Sequence, residues 1–270
     1  MCGRMIVKVD GVAYYHQFSS QEDGWEFVVA PDHYQDLGLQ EEAREVRPTD
    51  PVILHRVRDG ALRPDQAFWT LVPPWTESVT SVRETGGRPR LVPPPQTHFN
   101  SRRDTLLKSP GWKRLLATQR GVLLADAFLE WSDEEMLAGG TKLAGRFRLS
   151  GDRLMPLACI WNEVQVGDRS VTTCSVVTVP PNELMATLPH HRMPAVLLGE
   201  RLGAWLDPRT PDPERCLQTT LGEEFEVRTL PAARYDELVP ETAGSRGAGD
   251  RPKRPAPKPP TKPPLPDLFG

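Results

Sequence analysis

Apolar and polar residues follow one another in short runs along most of this chain, in the pattern of half-buried or buried strands. Met5–Val9, Val52–Val57, Gly121–Leu124, Arg146–Leu149, Val171–Val179 and Ala195–Leu198 each read this way. Helical spacing is less frequent. It is seen over Gln35–Val46, over Ser101–Leu107 running on toward Trp112–Leu116, over Asn182–Thr187 and in a short Glu200–Leu206. There is no internal repeat, and strands do not alternate regularly with helices, which excludes a parallel βαβ architecture. The pattern predicts an α+β fold built on a curved, largely antiparallel β-sheet with a few flanking helices.

The pattern stops near Ala243. From there, Pro252, Pro255, Pro257, Pro259, Pro260, Pro263, Pro264 and Pro266 alternate with basic and small residues that cannot build a core. Residues 1–242 are therefore read as one domain and 243–270 as a disordered, polyproline-like tail. A second loop is expected over Thr80–Thr97, which contains Gly86-Gly87 and Pro93-Pro94-Pro95.

Charge is unevenly spread. The tail holds six basic side chains against two acidic ones, so in a chain of −3 overall the remainder is close to −7. A domain of that sign binds nucleic acid only if its basic groups are gathered locally. No apolar run approaches the roughly 20 residues of a membrane span, and the N-terminus lacks the basic and apolar regions of a signal peptide, so a cytoplasmic protein is expected. Cys2, Cys159, Cys174 and Cys216 show no metal spacing and read as free thiols, with Cys159 and Cys174 packed in the core. No cofactor and no metal are expected.

The candidate chemistry begins at Met1-Cys2-Gly3-Arg4. A cysteine with a free α-amine is a two-headed nucleophile, because amine and thiol sit on adjacent carbons and titrate near about 8 and 8.5. Such a pair forms a Schiff base with an aldehyde, and the thiol then closes a five-membered thiazolidine. Cysteine is small enough at position two for a methionine aminopeptidase to remove Met1.

Four segments, in order, resemble the SRAP (SOS-response-associated peptidase) family, whose members crosslink to abasic sites in single-stranded DNA. They are Met1-Cys2-Gly3-Arg4; Trp69-Thr70-Leu71-Val72-Pro73-Pro74-Trp75 with the later Asn100-Ser101-Arg102-Arg103-Asp104-Thr105; Leu124-Ala125-Asp126-Ala127-Phe128-Leu129-Glu130-Trp131; and His190-His191-Arg192-Met193-Pro194-Ala195-Val196-Leu197. Ala204-Trp205-Leu206-Asp207-Pro208 also matches, and the resemblance covers about residues 1–240. This chain departs from the family pattern at Thr70 (usually Gly), Asp104 (usually Glu), Leu124 (usually Pro), Ala127 (usually Gly) and Leu129 (usually Tyr).

The resemblance implies a single pseudo-barrel domain, a monomer, and a division of labour among named residues. Cys2 is the nucleophile. Glu130 reads from its flanks alone as a salt-bridged strand-end residue, but within the ordered motifs as a general acid–base with a raised pKa. His190 is the proton shuttle that opens the abasic sugar, and the adjacent His191 is a solvent-facing structural residue. Asn100 orients Cys2. Arg102 is the leading phosphate contact, with Arg4 second and Arg192 third. Of the two tryptophans in the second motif, Trp69 is expected to stack on bases and Trp75 to be the core member; Trp131 and Trp161 are expected in the core.

Three functions compete: a crosslinking, lyase-like enzyme acting on abasic single-stranded DNA; a cysteine autopeptidase, against which the single residue ahead of Cys2 speaks; and a non-catalytic single-strand binding module. The terminal Pro264-Leu265-Pro266-Asp267-Leu268-Phe269-Gly270 places Leu268 and Phe269 like the Leu-Phe ending of peptides that enter bacterial sliding clamps. An uninteresting frayed end is the bland alternative.

Overall fold

The computed structural model describes residues 3–8, 10–20, 28–29, 31–35, 43–76, 81–85, 88–94, 97–132, 141–188 and 190–240. Cys2, the tail from 241 onward and therefore Leu268 and Phe269 lie outside the described residues. The chain opens with β1 (Arg4–Val7), α1 (Gly11–Ser19), β2 (Val28–Val29), α2 (Asp32–Gln35), β3 (Arg44–Val46), β4 (Pro51–Arg58) and β5 (Ala61–Trp69). It continues through β6 (Ser81–Thr85), β7 (Arg88–Val92), β8 (Asn100–Arg102), α3 (Arg103–Leu106), α4 (Pro110–Thr118), β9 (Arg120–Ala125) and β10 (Ala127–Trp131). The remaining elements are β11 (Leu143–Leu149), β12 (Met155–Val166), β13 (Arg169–Val179), β14 (Met193–Pro194), α5 (Glu200–Leu206) and β15 (Phe225–Pro231).

Five strands close on themselves. β13, β12, β9, β4 and β5 pair antiparallel in that order, and β5 returns to β13 in parallel, with Ala67 opposite Thr172 and Trp69 opposite Cys174. The result is a pseudo-barrel. The β4–β5 turn is Asp59-Gly60, both at positive φ (52° and 72°), which matches the right-handed twist of the two strands. A second sheet, in the order β15–β11–β10–β1–β3, is antiparallel throughout.

The chain passes from barrel to sheet at Asp126, whose N–H donates to Ile6 O at 2.9 Å while its carboxylate accepts from Lys8 N–H at 2.6 Å. One sheet face contributes Met5, Val7, Phe128, Phe147 and Phe225 to the main core, which also contains Leu54, Leu123 and Leu157 of the barrel. The opposite face, with Ile6, Ala127, Leu129 and Ala144, is covered by Leu238 and Tyr235. The departures at Leu124, Ala127 and Leu129 are all buried, so they change packing rather than an exposed groove.

Helices α4 and α5 are fastened to the barrel by one buried guanidinium. Arg120 donates to the carbonyls of Leu116 (3.0 Å), Ala117 (2.5 Å), Trp205 (2.7 Å) and Asp207 (2.5 Å), groups that the C-terminal turns of the two helices leave without intrahelical donors.

Several sequence expectations change here. Gln35–Val46 is not one helix, because Asp32–Gln35 ends a short turn and Arg44–Val46 pairs with β1 as a strand. Thr80–Thr97 is not all loop: β6 and β7 form a hairpin, anchored by the buried Leu91 in a small cluster with Phe68 and Val72. Ala195–Leu198 makes only an isolated bridge, Val196 to Leu157, just after β14. Helix α1 was not anticipated; it buries Tyr14 and Phe18, four positions apart, and Asp10 caps it through a bond from Ala13 N–H at 3.0 Å. Trp131 and Trp161 are half-buried and carry arginines on their rings, Arg4 at 4.9 Å and Arg56 at 4.0 Å, rather than sitting within the core. No helix among the described residues is long and apolar enough to cross a membrane.

Candidate active site

Strand alternation decides where Glu130 points. It shares a face with Phe128, toward the interior, while Leu129 and Trp131 lie on the other side. Directly across the ladder from Glu130 stands Gly145, where a Cβ would come within 3.0 Å of the Leu188 side chain. The bare backbone at Gly145 thus leaves room for the Leu188 side chain against the strand. His190 follows two residues later. Its Nε2 lies 3.4 Å from Glu130 Oε2, and both side chains are nearly buried, 7% and 3% exposed.

The other imidazole nitrogen fixes the proton arrangement. His190 Nδ1 is 3.1 Å from the Trp131 carbonyl, which can only accept, so Nδ1 carries a hydrogen. Nε2 then faces the Glu130 carboxyl, so imidazole and carboxyl can pass a proton between them. That is the equipment for delivering and removing a proton at one spot. His191 is exposed, as expected, with its ring 5.0 Å from that of His190.

The basic group lies on neighbouring strands. β8 runs parallel to β13, with Asn100 opposite Val176 and Arg102 opposite Thr178, and a Ser101–Ser175 hydroxyl bond of 2.8 Å fastens the pair. Arg192, leading into β14, donates to the Thr178 carbonyl and forms a 3.2 Å ion pair with Asp104, which also pairs with Arg102 at 2.9 Å. Partial burial acts to raise the pKa of Asp104, but the bonds from Arg102 and the charge of Arg192 outweigh it, and the carboxyl is held below its ordinary range. Residues far apart in sequence, 100–104 and 190–194, therefore meet at the Thr178–Val179 end of β13.

The SOS response associated peptidase (SRAP) profile matches residues 1–239. The chain belongs to the SRAP family. It is 30% identical over 189 residues to abasic site processing protein YoqW of Bacillus subtilis, covering 69% of this chain and 76% of that one. It is 27% identical to abasic site processing protein YoaM of the same organism, covering 79% and 82%. Its fold resembles that of a protein from Bacteroides thetaiotaomicron (TM-score 0.63, 18% identity, 88% of this chain and 94% of that one). A phage-related protein from Bordetella bronchiseptica is similar as well (TM-score 0.56, 19% identity, 85% and 94%).

Within this SRAP chain the two tryptophans of the second motif exchange their expected places. Trp69 is fully buried, with Nε1 donating to Phe99 O at 2.8 Å, so it cannot stack on a base. Trp75 is 46% exposed. The signal was partly available in the sequence: Trp69 ends the apolar run Ala67-Phe68-Trp69, whereas Trp75 follows Pro73-Pro74, a dipeptide that puts the next residue in a turn. Arg4 is paired with Glu45 at 2.7 Å and stacked on Trp131 and Tyr235, on the face opposite Glu130, so its guanidinium is already engaged within the second sheet. Arg192 is likewise committed to Thr178 and Asp104, which leaves Arg102, about half exposed, as the outward-facing member. Among the described residues no group of three His, Cys, Asp or Glu side chains could hold a metal ion.

Cys2 is outside the described residues, but the strand it precedes begins with Arg4 opposite Leu129, one step from Glu130. The start of β1 thus abuts the strand end that carries the Glu130–His190 contact.

Proposed function

We propose that this chain binds single-stranded DNA and joins Cys2, once its α-amine is free, to the aldehyde of an abasic site as a thiazolidine. The contact between buried Glu130 and His190, next to the start of the strand that follows Cys2, carries this reading. Two relatives named as abasic site processing proteins support the choice of substrate. A shielding role during DNA damage follows from a bond that occupies the reactive aldehyde.

The steps use the groups described. Imidazolium at His190 donates a proton to the ring oxygen of the closed sugar while the Glu130 carboxylate takes the proton of the C1 hydroxyl, so the bond from C1 to the ring oxygen breaks and the aldehyde is released. The Cys2 amine adds to the carbonyl carbon, and the carbinolamine loses water as the Glu130–His190 pair supplies the proton to the departing hydroxyl. The Cys2 thiolate then attacks the imine carbon, and the ring nitrogen keeps one hydrogen. Overall the aldehyde oxygen leaves as water with one hydrogen from nitrogen and one from sulfur. Asn100 orients Cys2, Arg102 holds a phosphate with Asp104 and Arg192 behind it, and Trp75 takes the stacking role first given to Trp69.

The test is incubation of the purified protein with single-stranded oligonucleotides, with and without an abasic site, followed by heating and electrophoresis. A heat-stable band only with the abasic strand is expected. Glu130→Gln and His190→Ala should slow its appearance by about 10²- to 10⁴-fold while leaving affinity for undamaged strands unchanged. Absence of the band, or a band from protein that retains Met1, refutes the reading. Peptide cleavage alone predicts no band, and a binding module predicts affinity without a bond.

A further inference from the structure

Trp75, Trp112 and His98 form an aromatic cluster apart from the Glu130–His190 pair. Trp75 meets Trp112 at 5.2 Å and His98 meets it at 5.0 Å, each with rings 83° apart. Trp112 is buried, while Trp75 and His98 are exposed. Both exposed rings sit on fixed supports. Trp75 lies in a turn closed by Thr76 N–H to Pro73 O at 3.0 Å, and its ring rests on Gly111, where a Cβ would stand 2.7 Å away. His98 exchanges both backbone hydrogen bonds with Leu71, at 2.9 and 3.0 Å. Partial desolvation lowers the His98 pKa from its ordinary value, so the ring is an uncharged aromatic at neutral pH.

The surroundings favour a nucleic-acid strand as the occupant. Between residues 102 and 114, Arg102, Arg103, Lys108, Lys113 and Arg114 face a single acidic residue, Asp104, although the domain as a whole is negative. Arg102, Lys108, Lys113 and Arg114 are exposed, and Gly111, beneath Trp75, belongs to the same helix as Lys113 and Arg114. His98 is two residues from Asn100 on the chain leading into β8, which places the cluster next to the strand that carries Asn100 and Arg102.

We infer that Trp75 and His98 form a rigid stacking platform for an unpaired nucleobase next to the captured position, with His98 a base contact in its own right. The inference rests on the single-strand reading above and extends it to a residue which that chemistry does not use. Rings already fixed in place lose little freedom when a base stacks on them. Sequence tolerance follows, because every base offers a π-face.

Fluorescence anisotropy of the full chain with a labelled, undamaged oligothymidine tests this. His98→Ala should weaken binding by about 5- to 30-fold, and His98→Phe should bind like the unsubstituted protein. On a strand of the same length in which spacers replace every base, His98→Ala and the unsubstituted protein should bind alike. Equal binding of the oligothymidine by both overturns the platform. So does an equal loss on the base-free strand, or a loss in His98→Phe as large as in His98→Ala. Crosslinking is scored separately. Heat-stable bonding without any His98 effect overturns the platform alone, and a His98 effect without bonding overturns the crosslink alone.

Discussion

His55 makes the stability of this fold acid-sensitive by an amount that can be worked out. The residue lies on β4 with no exposed surface, its ring 5.1 Å from Tyr14, 4.8 Å from Phe18 and 5.6 Å from Tyr34, the last nearly parallel at 12°. Burial in this aromatic cage lowers its pKa to about 3 from 6.5. The folded chain therefore holds a neutral imidazole across a pH range in which the unfolded chain binds a proton. Stability from this group is complete above pH 6.5 and falls as the pH drops toward 3, by about 1.4 kcal/mol per unit. Between pH 7 and pH 5 the loss comes to about 2 kcal/mol.

Urea denaturation of the unsubstituted protein and of His55→Phe, at half-unit steps from pH 7 to pH 5, isolates that contribution. Other groups titrate in both proteins, among them Asp126, which burial raises, and Asp104, which Arg102 and Arg192 lower against the effect of burial. Their effects cancel in the difference between the two curves. The expected result is a gap that shifts by about 2 kcal/mol in favour of His55→Phe on acidification, whatever its size at pH 7. His55→Leu serves if the larger ring does not fit. Curves that run parallel over this range refute the assignment of a buried neutral imidazole.

Arg120→Met removes all four bonds to the helix-end carbonyls and should cost about 3–5 kcal/mol, read as a lower urea midpoint with unchanged slope, and Arg120→Lys should cost less. Trp69→Ala should destabilise by about 3–5 kcal/mol, whereas Trp75→Ala should cost less, about 1–2 kcal/mol, and weaken single-strand binding; the reverse outcome would return the stacking role to Trp69. Arg102→Ala should reduce the slope of log affinity against log salt by about 0.7, the share of one phosphate on a single strand, and leave the thermal midpoint in place. Arg192→Ala should lower the midpoint itself, because it strips the buried partner from the Thr178 carbonyl and from Asp104.

Local pattern was enough for much of this chain. Glu200–Leu206 is a helix because its apolar residues fall on one face, and β13 is legible because Val171–Val179 is continuously β-patterned. The ordered motifs marked Glu130, His190, Asn100 and Arg102 from residue identity and order, and with them the family. Strands β5 and β12 escaped notice, although Asp59-Gly60 and Gly167-Asp168 mark the two-residue turns of their hairpins.

Other features have no local signature. Which tryptophan is buried depends on Trp69 lying on the barrel strand that closes against β13, and on a bond to Phe99 O thirty residues away. The commitment of Arg4 to Glu45, Trp131 and Tyr235 depends on strand pairing across the second sheet and on the turn that covers it. The Glu130–His190 contact joins residues sixty positions apart, and Gly145, across the ladder from Glu130 and outside every motif, leaves room there for Leu188. Side-chain type and spacing are properties of the chain itself and can be read along it. Burial, partner and direction are set by the strands and loops that meet only when barrel and sheet close on one core.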